Sequence, residues 1–293
     1  MLRYAAIDIG SNAVRLLIAD INQTEKGYEF KKNTLVRVPL RLGDDAFLDH
    51  HISDRKIEDL VKTMSAFRNL MDVYGVSQYL ACATSAMRES DNGKEVVKIL
   101  KKKANIDLEI IEGQREANII YANHIEATLD SKIGYLYIDV GGGSTELSVF
   151  INKELVASKS FNIGTIRMLD NQDKPETWEE MKAWVKEHTK NQKSLAAIGT
   201  GGNINKLFRM SEEKQGEPMS FQKLKGLYNT LNSHSLKERM LVFNLNADRA
   251  DVIIPAAEIY LTLMKWTGIK QIYVPRVGMV DGIINLLMEE NLS

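Results

Sequence analysis

One cysteine, Cys82, is present in 293 residues, so no intrachain disulfide and no cysteine-based metal cluster can be built from this chain. No apolar run approaches the roughly 20 residues that span a bilayer, which argues against a membrane protein. The start of the chain has no basic segment leading into a long apolar stretch; Tyr4-Ala5-Ala6-Ile7 already looks like a strand. No secretory signal is expected there, and the cytoplasm is the expected address. Neither sign of charge dominates: 38 Lys and Arg face 39 Asp and Glu, a net charge of −1. A general nucleic-acid binder carries a basic excess, so that class is not expected, and any polyanion must be held by a few placed cations and backbone N–H groups. The five histidines lack ligand spacing: His50 and His51 are adjacent, while His124, His188 and His234 lie far apart, so all five are read as structural. There is no low-complexity linker. Lys101-Lys102-Lys103 is the strongest charge run and suits a solvated helix end.

The length exceeds what one core usually holds, so two domains are expected. Tyr4 to Ile21 suggests two strands around the turn Gly10-Ser11-Asn12. Ser53 to Tyr74 has apolar residues at three- and four-residue steps, a helix that Ser53 or Asp54 can cap and Gly75 can end. Its methionines and aromatics are expected in the core. A strand near Gln78–Ala83, a short helix from Val96 to Lys103, a strand at Asp107–Ile111 and a helix over Glu116 to about Ala127, starting just after Gly113, follow. Then the opening pattern returns. Tyr135–Ile138 leads into Asp139-Val140-Gly141-Gly142-Gly143-Ser144-Thr145, and Glu146–Phe150 alternates like a strand. Strand, Asp-hydrophobe-Gly, polar turn and strand thus occur twice, about 130 positions apart, which suggests two related halves. A helix around Trp178–His188, a third small-residue turn at Ala196–Asn203, helices over Arg249–Trp266 and about Asp281–Met288, and a mostly helical remainder complete the pattern.

A phosphate group needs several N–H donors aimed at one point, and glycine permits the backbone shapes that supply them. Gly10-Ser11-Asn12, Gly141-Gly142-Gly143-Ser144-Thr145 and Gly199-Thr200-Gly201-Gly202 are three such turns. Each alone is equally a plain hairpin turn; together they favour phosphate. Asp8 and Asp139 precede the first two turns, where a carboxylate repels phosphate unless a hydrated Mg²⁺ lies between them. The P-loop needs Gly-Lys-Ser/Thr, which is absent. The dinucleotide fingerprint needs a third glycine, but Gly141-x-Gly143 is followed by Glu146 and Gly199-x-Gly201 by Ile204. In both motifs a helix follows the turn, whereas strands are expected after Asp8 and Asp139. A phosphate-holding β-hairpin present twice points to an α/β actin-like ATPase architecture.

Four segments occur in order: Ala6-Ile7-Asp8-Ile9-Gly10-Ser11-Asn12, Ala83-Thr84-Ser85-Ala86-Met87-Arg88, Asp139 to Glu146, and Ile198 to Gly202. The set resembles the exopolyphosphatase and guanosine pentaphosphate phosphohydrolase family (Ppx/GppA) over essentially the whole chain. Ile110–Ala117 resembles that family's stretch carrying the catalytic glutamate, and Arg249–Pro255 and Gly278–Gly282 look like later landmarks. The resemblance implies an α/β fold of two actin-like, ribonuclease H-like (ASKHA) domains flanking a central cleft: residues 1–117, completed by the helix at 279–293, and residues 118–278. The resemblance is to the family's short, two-domain form. It implies release of terminal orthophosphate from inorganic polyphosphate or pppGpp, with Mg²⁺ or another divalent cation; a homodimer is compatible with it.

The roles implied are specific. Glu116 would orient and deprotonate the attacking water. Asp8, Asp139 and Glu146 would hold the metal, directly or through water. Gly10, Ser11, Asn12, Gly141, Gly142, Gly143, Ser144, Thr145, Gly199, Thr200, Gly201 and Gly202 would cradle phosphates, with Thr84 beside them and Arg15 and Arg88 as placed cations. Arg15 reads equally as a solvent-facing strand residue. Three departures from the family pattern stand out: Arg115 where an acidic residue usually precedes the glutamate, Ala13-Val14 where Ser-Phe is usual, and Val280-Asp281-Gly282 where Arg-Glu-Gly is usual. Two other readings remain open. One is an actin-fold kinase for a small molecule. The other is a non-catalytic sensor of pppGpp, ppGpp or polyphosphate.

Overall fold

The computed structural model describes residues 2–25, 27–123, 130–192 and 194–292. Two compact units emerge, one of residues 1–123 with 277–293, the other of residues 124–276.

In the first unit, β1 (Leu2–Ile9), β2 (Val14–Thr24) and β3 (Gly27–Val38) form an antiparallel meander. After α1 (Leu42–Leu48) and α2 (Asp54–Tyr74), β4 (Gln78–Ala83) pairs parallel with β1. Then come α3 (Ser85–Glu89), α4 (Gly93–Ala104), β5 (Glu109–Ile110) parallel to β4, and α5 (Gly113–Tyr121). The sheet order is β3-β2-β1-β4-β5. Central β1 and β2 are buried on both faces, which explains their nearly continuous apolar runs. On α2, Leu60, Met64, Phe67 and Met71 form the buried stripe expected from their spacing, and Gly75 ends the helix at φ 63°. Ser53 occupies the N-cap position but makes no side-chain cap bond; its own N–H donates to Asp45 Oδ2 at 2.9 Å.

The second unit repeats the plan. β6 (Gly134–Val140), β7 (Thr145–Ile151) and β8 (Glu154–Phe161) form the meander. They are followed by α6 (Thr165–Leu169), α7 (Pro175–Thr189) and β9 (Leu195–Thr200), which pairs parallel with β6. The remainder is α8 (Gly202–Met210), β10 (Met219–Ser220), α9 (Phe221–Asn232), α10 (Leu236–Val242), α11 (Ala247–Ala250), α12 (Ile253–Thr267) and β11 (Gln271–Tyr273). Read from the meander edge, the order is β8-β7-β6-β9-β11-β10, the first unit's order with one strand added. A three-stranded meander whose first strand pairs parallel with the fourth is the ribonuclease H-like plan of actin-like domains, so the fold is the α/β, actin-like one that the turns suggested. α12 is buried on most sides in the core that joins Leu136, Ile138, Leu207 and Tyr260.

The chain then returns to the first unit as α13 (Met279–Leu292), whose Val280, Ile283, Ile284 and Leu287 pack with Tyr4, Ala6, Leu17, Cys82, Ile111 and Ile119. No helix among the described residues is long and apolar enough to cross a membrane.

Several elements differ from the sequence pattern. The helix expected over Arg249–Trp266 is broken, because Asp251 Oδ1 accepts the Val252 N–H at 2.7 Å and splits α11 from α12. α5 runs from Gly113 to Tyr121, its start beside Gly113 as expected, and Ala122 and Asn123 form a turn where the helix was expected to continue; the rest of the expected extension to Ala127, and His124 with it, falls outside the described residues. β3 and β8 carried no clear signal because each is an edge strand with one polar face.

Candidate functional site

The two hairpin turns share one construction. Gly10 N–H donates to the Ala13 carbonyl at 3.2 Å, and Gly141 N–H to the Ser144 carbonyl at 2.9 Å. In each unit the segment after the third strand then occupies the carbonyl side of the turn. In the first, Gly43 N–H donates to Ser11 O at 2.8 Å and Arg41 N–H to Asn12 O at 3.0 Å. In the second, Thr165 N–H donates to Gly141 O at 3.0 Å and Ile166 N–H to Gly142 O at 2.8 Å, while Arg167 Nε reaches Gly143 O at 2.6 Å. With the carbonyls used, the N–H groups of Gly142 and Gly143 have no backbone partner among the described residues. A peptide plane held by its oxygen presents its N–H on the opposite side, which is what an anion needs. The approach at Gly164 is close: a Cβ there would sit 2.5 Å from the Gly142 oxygen.

Electrostatically the turns differ. Asp8 is 4% exposed, and its cross-strand partner is Arg15, whose Nη1 lies 2.6 Å from Asp8 Oδ2. Asp139 faces Glu146 across the same position, so two carboxylates are neighbours. Thr200 Oγ1 donates to Asp139 Oδ2 at 2.8 Å and Ser160 Oγ to Glu146 Oε1 at 2.8 Å. Among the described residues no group of three or more His, Cys, Asp or Glu side chains forms a ready-made cage. Mg²⁺ does not need one, since it is commonly held by one or two carboxylates plus water and substrate oxygens. The adjacent Asp139 and Glu146 fit that pattern. Asp8 fits it less well because its charge is already met by Arg15.

The remaining expected residues of the first unit lie at the starts of α3 and α5 and on α3 itself. Ser11 Oγ lies 2.9 Å from Ser85 Oγ, a buried pair at the start of α3 beside buried Thr84. Arg88 Nη1 donates to Ile111 O at 2.7 Å and stands 4.0 Å from Glu116 Oε2, while its Nε is 3.9 Å from Glu112. It therefore braces the strand end that leads into α5, in addition to any anion it meets. Glu116 sits in the first turn of α5 with its side chain 12% exposed, on the face that buries Ala117, Ile119 and Ile120. Cys82 on β4 shows how closely this region converges. Burial first, then the charges of Glu109, Asp8 and Glu116, push its thiol up to about 12 against the opposing effect of Arg115. It is an inert thiol.

In the third turn Gly201 has φ 100°, favoured by glycine, and a Cβ there would stand 3.2 Å from Asp139 Oδ1. At Gly199 a Cβ would press on Ile272, Ile204 and Tyr260. Fully buried Tyr260 donates to Thr200 O at 2.6 Å, and burial followed by the Asp139 charge raises its phenol well above the ordinary value. Ser85, Gly164, Arg167 and Tyr260 were not singled out by the sequence. Gly164-Thr165 is a small-residue pair after a strand and could have been noticed; a buried Arg167 used as a backbone brace leaves no signal in letters. Among the described histidines, His188 Nδ1 donates to Trp184 O and its ring lies against that of Trp184, and His51 meets Asn92.

The model of the Ppx/GppA phosphatase family matches residues 25–291. The chain is 27% identical over 291 residues to a bifunctional 3-dehydroquinate synthase/phosphatase of Fusobacterium nucleatum, covering 90% of this chain and 43% of that one. It is 26% identical over 167 residues to exopolyphosphatase 1 of Mycobacterium tuberculosis, 57% of this chain and 48% of that one. The chain thus spans less than half the length of these curated relatives. An exopolyphosphatase from Cytophaga hutchinsonii superposes with a TM-score of 0.84 at 23% identity, over 98% of both chains. The Aquifex aeolicus Ppx/GppA protein superposes with 0.76 at 22% identity, over 100% of this chain and 99% of that one.

Proposed function

The chain belongs to the Ppx/GppA phosphatase family, and from that premise we propose that it hydrolyses the terminal phosphoanhydride of a linear polyphosphate, inorganic polyphosphate or pppGpp, with Mg²⁺. The observation that carries this reading is Glu116: a carboxylate in the first turn of α5, mostly shielded from solvent and braced by an arginine that also ties down the preceding strand. Glu116 takes a proton from water as that water attacks the terminal phosphorus. The P–O bond to the next phosphate breaks, and the shortened chain leaves with the bond's electrons. The outward N–H groups of Gly142 and Gly143, with Ser144, Thr145 and the Gly199–Gly202 turn, hold phosphate oxygens. Ser11, Asn12 and Thr84 do the same in the first unit. Asp139 and Glu146 would hold Mg²⁺, which supplies neutralisation of charge on those oxygens. Asp8 contributes mainly through its pair with Arg15.

Orthophosphate release by purified protein tests this, with long polyphosphate, tripolyphosphate, pppGpp and ATP compared for wild type and Glu116→Gln. Release that falls by roughly a hundredfold or more in the variant is expected of a lost general base. Equal turnover in the two proteins removes Glu116 from the role. Binding without turnover by wild type favours the sensor reading, for which the cation Arg115 beside Glu116 is the relevant departure. Transfer of the γ-phosphate of ATP to a small acceptor rather than to water favours the kinase reading.

A further inference from the structure

α13 meets α5 at unusually close range. A Cβ on Gly282 would fall on the Ile119 carbonyl oxygen, inside any van der Waals distance, so only glycine lets the two backbones touch there. Beside it, Asn123 Nδ2 lies within reach of two carbonyls, Ile120 O at 2.8 Å on α5 and Gly278 O at 3.3 Å just before α13. The residue before Gly282 on α13, Asp281, is 2% exposed. Its Oδ2 accepts the Gly278 N–H at 3.0 Å, and its Oδ1 lies 2.5 Å from Lys32 Nζ on β3. Burial raises the Asp281 carboxyl above its ordinary range, with Lys32 pulling the other way. Only the Asp281 end of this pair is buried, since the Lys32 side chain is 43% exposed; the pair keeps the buried carboxylate from standing uncompensated and adds little net stability beyond that.

Ile119 and Ile120 stand one helical turn after Glu116, so whatever fixes their carbonyls fixes the turn that carries the carboxylate. The other end of the same segment is tied by Arg88 at Ile111 O. We propose that the first turn of α13, through Gly282 against Ile119 and the Asp281–Lys32 pair, is the positioning element for Glu116; this rests on the reading of Glu116 as the base. Gly282, Asp281 and Lys32 are positioning residues and touch no substrate. The chain of contacts runs from Lys32 to Asp281, through Gly282 to Ile119, and back one turn to Glu116.

The test compares Gly282→Ala, Lys32→Met, Lys32→Arg and Lys32→Met/Asp281→Asn with wild type and Glu116→Gln. Tripolyphosphate with Mg²⁺ is the substrate, and kcat, KM, melting temperature and amide hydrogen exchange across α5 are recorded. Misplacement of a catalytic group predicts that Gly282→Ala and Lys32→Met lower kcat by roughly tenfold or more while KM stays within about twofold. α5 exchanges faster in both, and Lys32→Arg restores kcat. The double variant removes the buried charge and recovers the melting temperature without recovering kcat. If the double variant recovers both, the pair serves stability alone and the proposal fails. Normal kcat in Gly282→Ala, with turnover abolished by Glu116→Gln, also overturns it and leaves the base assignment standing. Undiminished turnover in Glu116→Gln sinks both together. Should Gly282→Ala not fold, the Lys32 series decides alone.

Discussion

Asp8 and Asp139 end the first strand of two sheets with matching order, and each precedes a turn closed by the same glycine N–H bond. Their neighbours are opposite. Across the hairpin Asp8 meets Arg15 and Asp139 meets Glu146; on the parallel side Asp8 adjoins Cys82 and Asp139 adjoins Thr200. Directly opposed residues on antiparallel strands lie about 5 Å apart at Cβ, so the identity of one cross-strand residue decides the local charge. The first unit supplies its own cation. The second sets two carboxylates side by side, one accepting from the Thr200 hydroxyl and the other from that of Ser160. One scaffold therefore yields a turn with opposite charges across it and a turn with like charges across it by changing the residue at a single register position.

The largest effect that would sharpen this contrast is Glu146→Gln. It should lower kcat/KM on the order of a hundredfold, the scale of losing one group that stabilises developing charge, and shift the Mg²⁺ midpoint upward. An unchanged midpoint in a titration of phosphate release against Mg²⁺ would break the contrast. Next comes the reverse experiment, Arg15→Glu, which gives the first turn the second turn's electrostatics. Two opposed carboxylates should destabilise the fold by about 2–3 kcal/mol in urea unfolding, somewhat below the scale for a fully buried broken pair because Arg15 is partly exposed. In a Glu146→Gln background, millimolar Mg²⁺ should then raise the melting temperature of Arg15→Glu and not of the Arg15 protein. Absence of that difference means the scaffold needs more than the paired acids.

Cys82 provides the smallest effect. Its thiol stays protonated to about 12 in the folded chain, while in the unfolded chain it ionises near about 8.5. A raised folded value gives a contribution that is fully present below the unfolded value and lost as pH rises toward the folded one. Cys82→Thr, which copies the Thr200 position, should therefore lose less melting temperature than wild type between about pH 8.5 and 11. Parallel curves would mean that the thiol is not the group responsible.

Much of this was legible in letters. Asp-x-Gly followed by small polar residues and a second apolar strand is a local pattern, so both hairpins and the two-halves plan could be read from Asp8–Val14 and Asp139–Leu147. Glu116 was singled out by its motif, and it lies in the first turn of a helix whose start beside Gly113 the sequence also suggests. What could not be read is non-local. The register that sets Arg15 opposite Asp8 and Glu146 opposite Asp139 depends on turn length. Arg41, Gly43, Thr165 and Arg167 serve the turns from the far end of a third strand whose polar face hid it. Arg88 reads as a free cation in sequence and becomes a brace only when Ile111 is folded beside it.

The return of the chain to its first unit has a consequence for how the protein is made. Residues 124–276 are one uninterrupted stretch and can collapse as soon as they leave the ribosome, whereas β1 and α5 wait for α13, whose residues lie more than 150 positions beyond α5. Closing so long a loop slows the step, and apolar Tyr4, Leu17 and Ile119 stay uncovered meanwhile. The half made first is thus the half finished last, and during synthesis it is the part most in need of a chaperone.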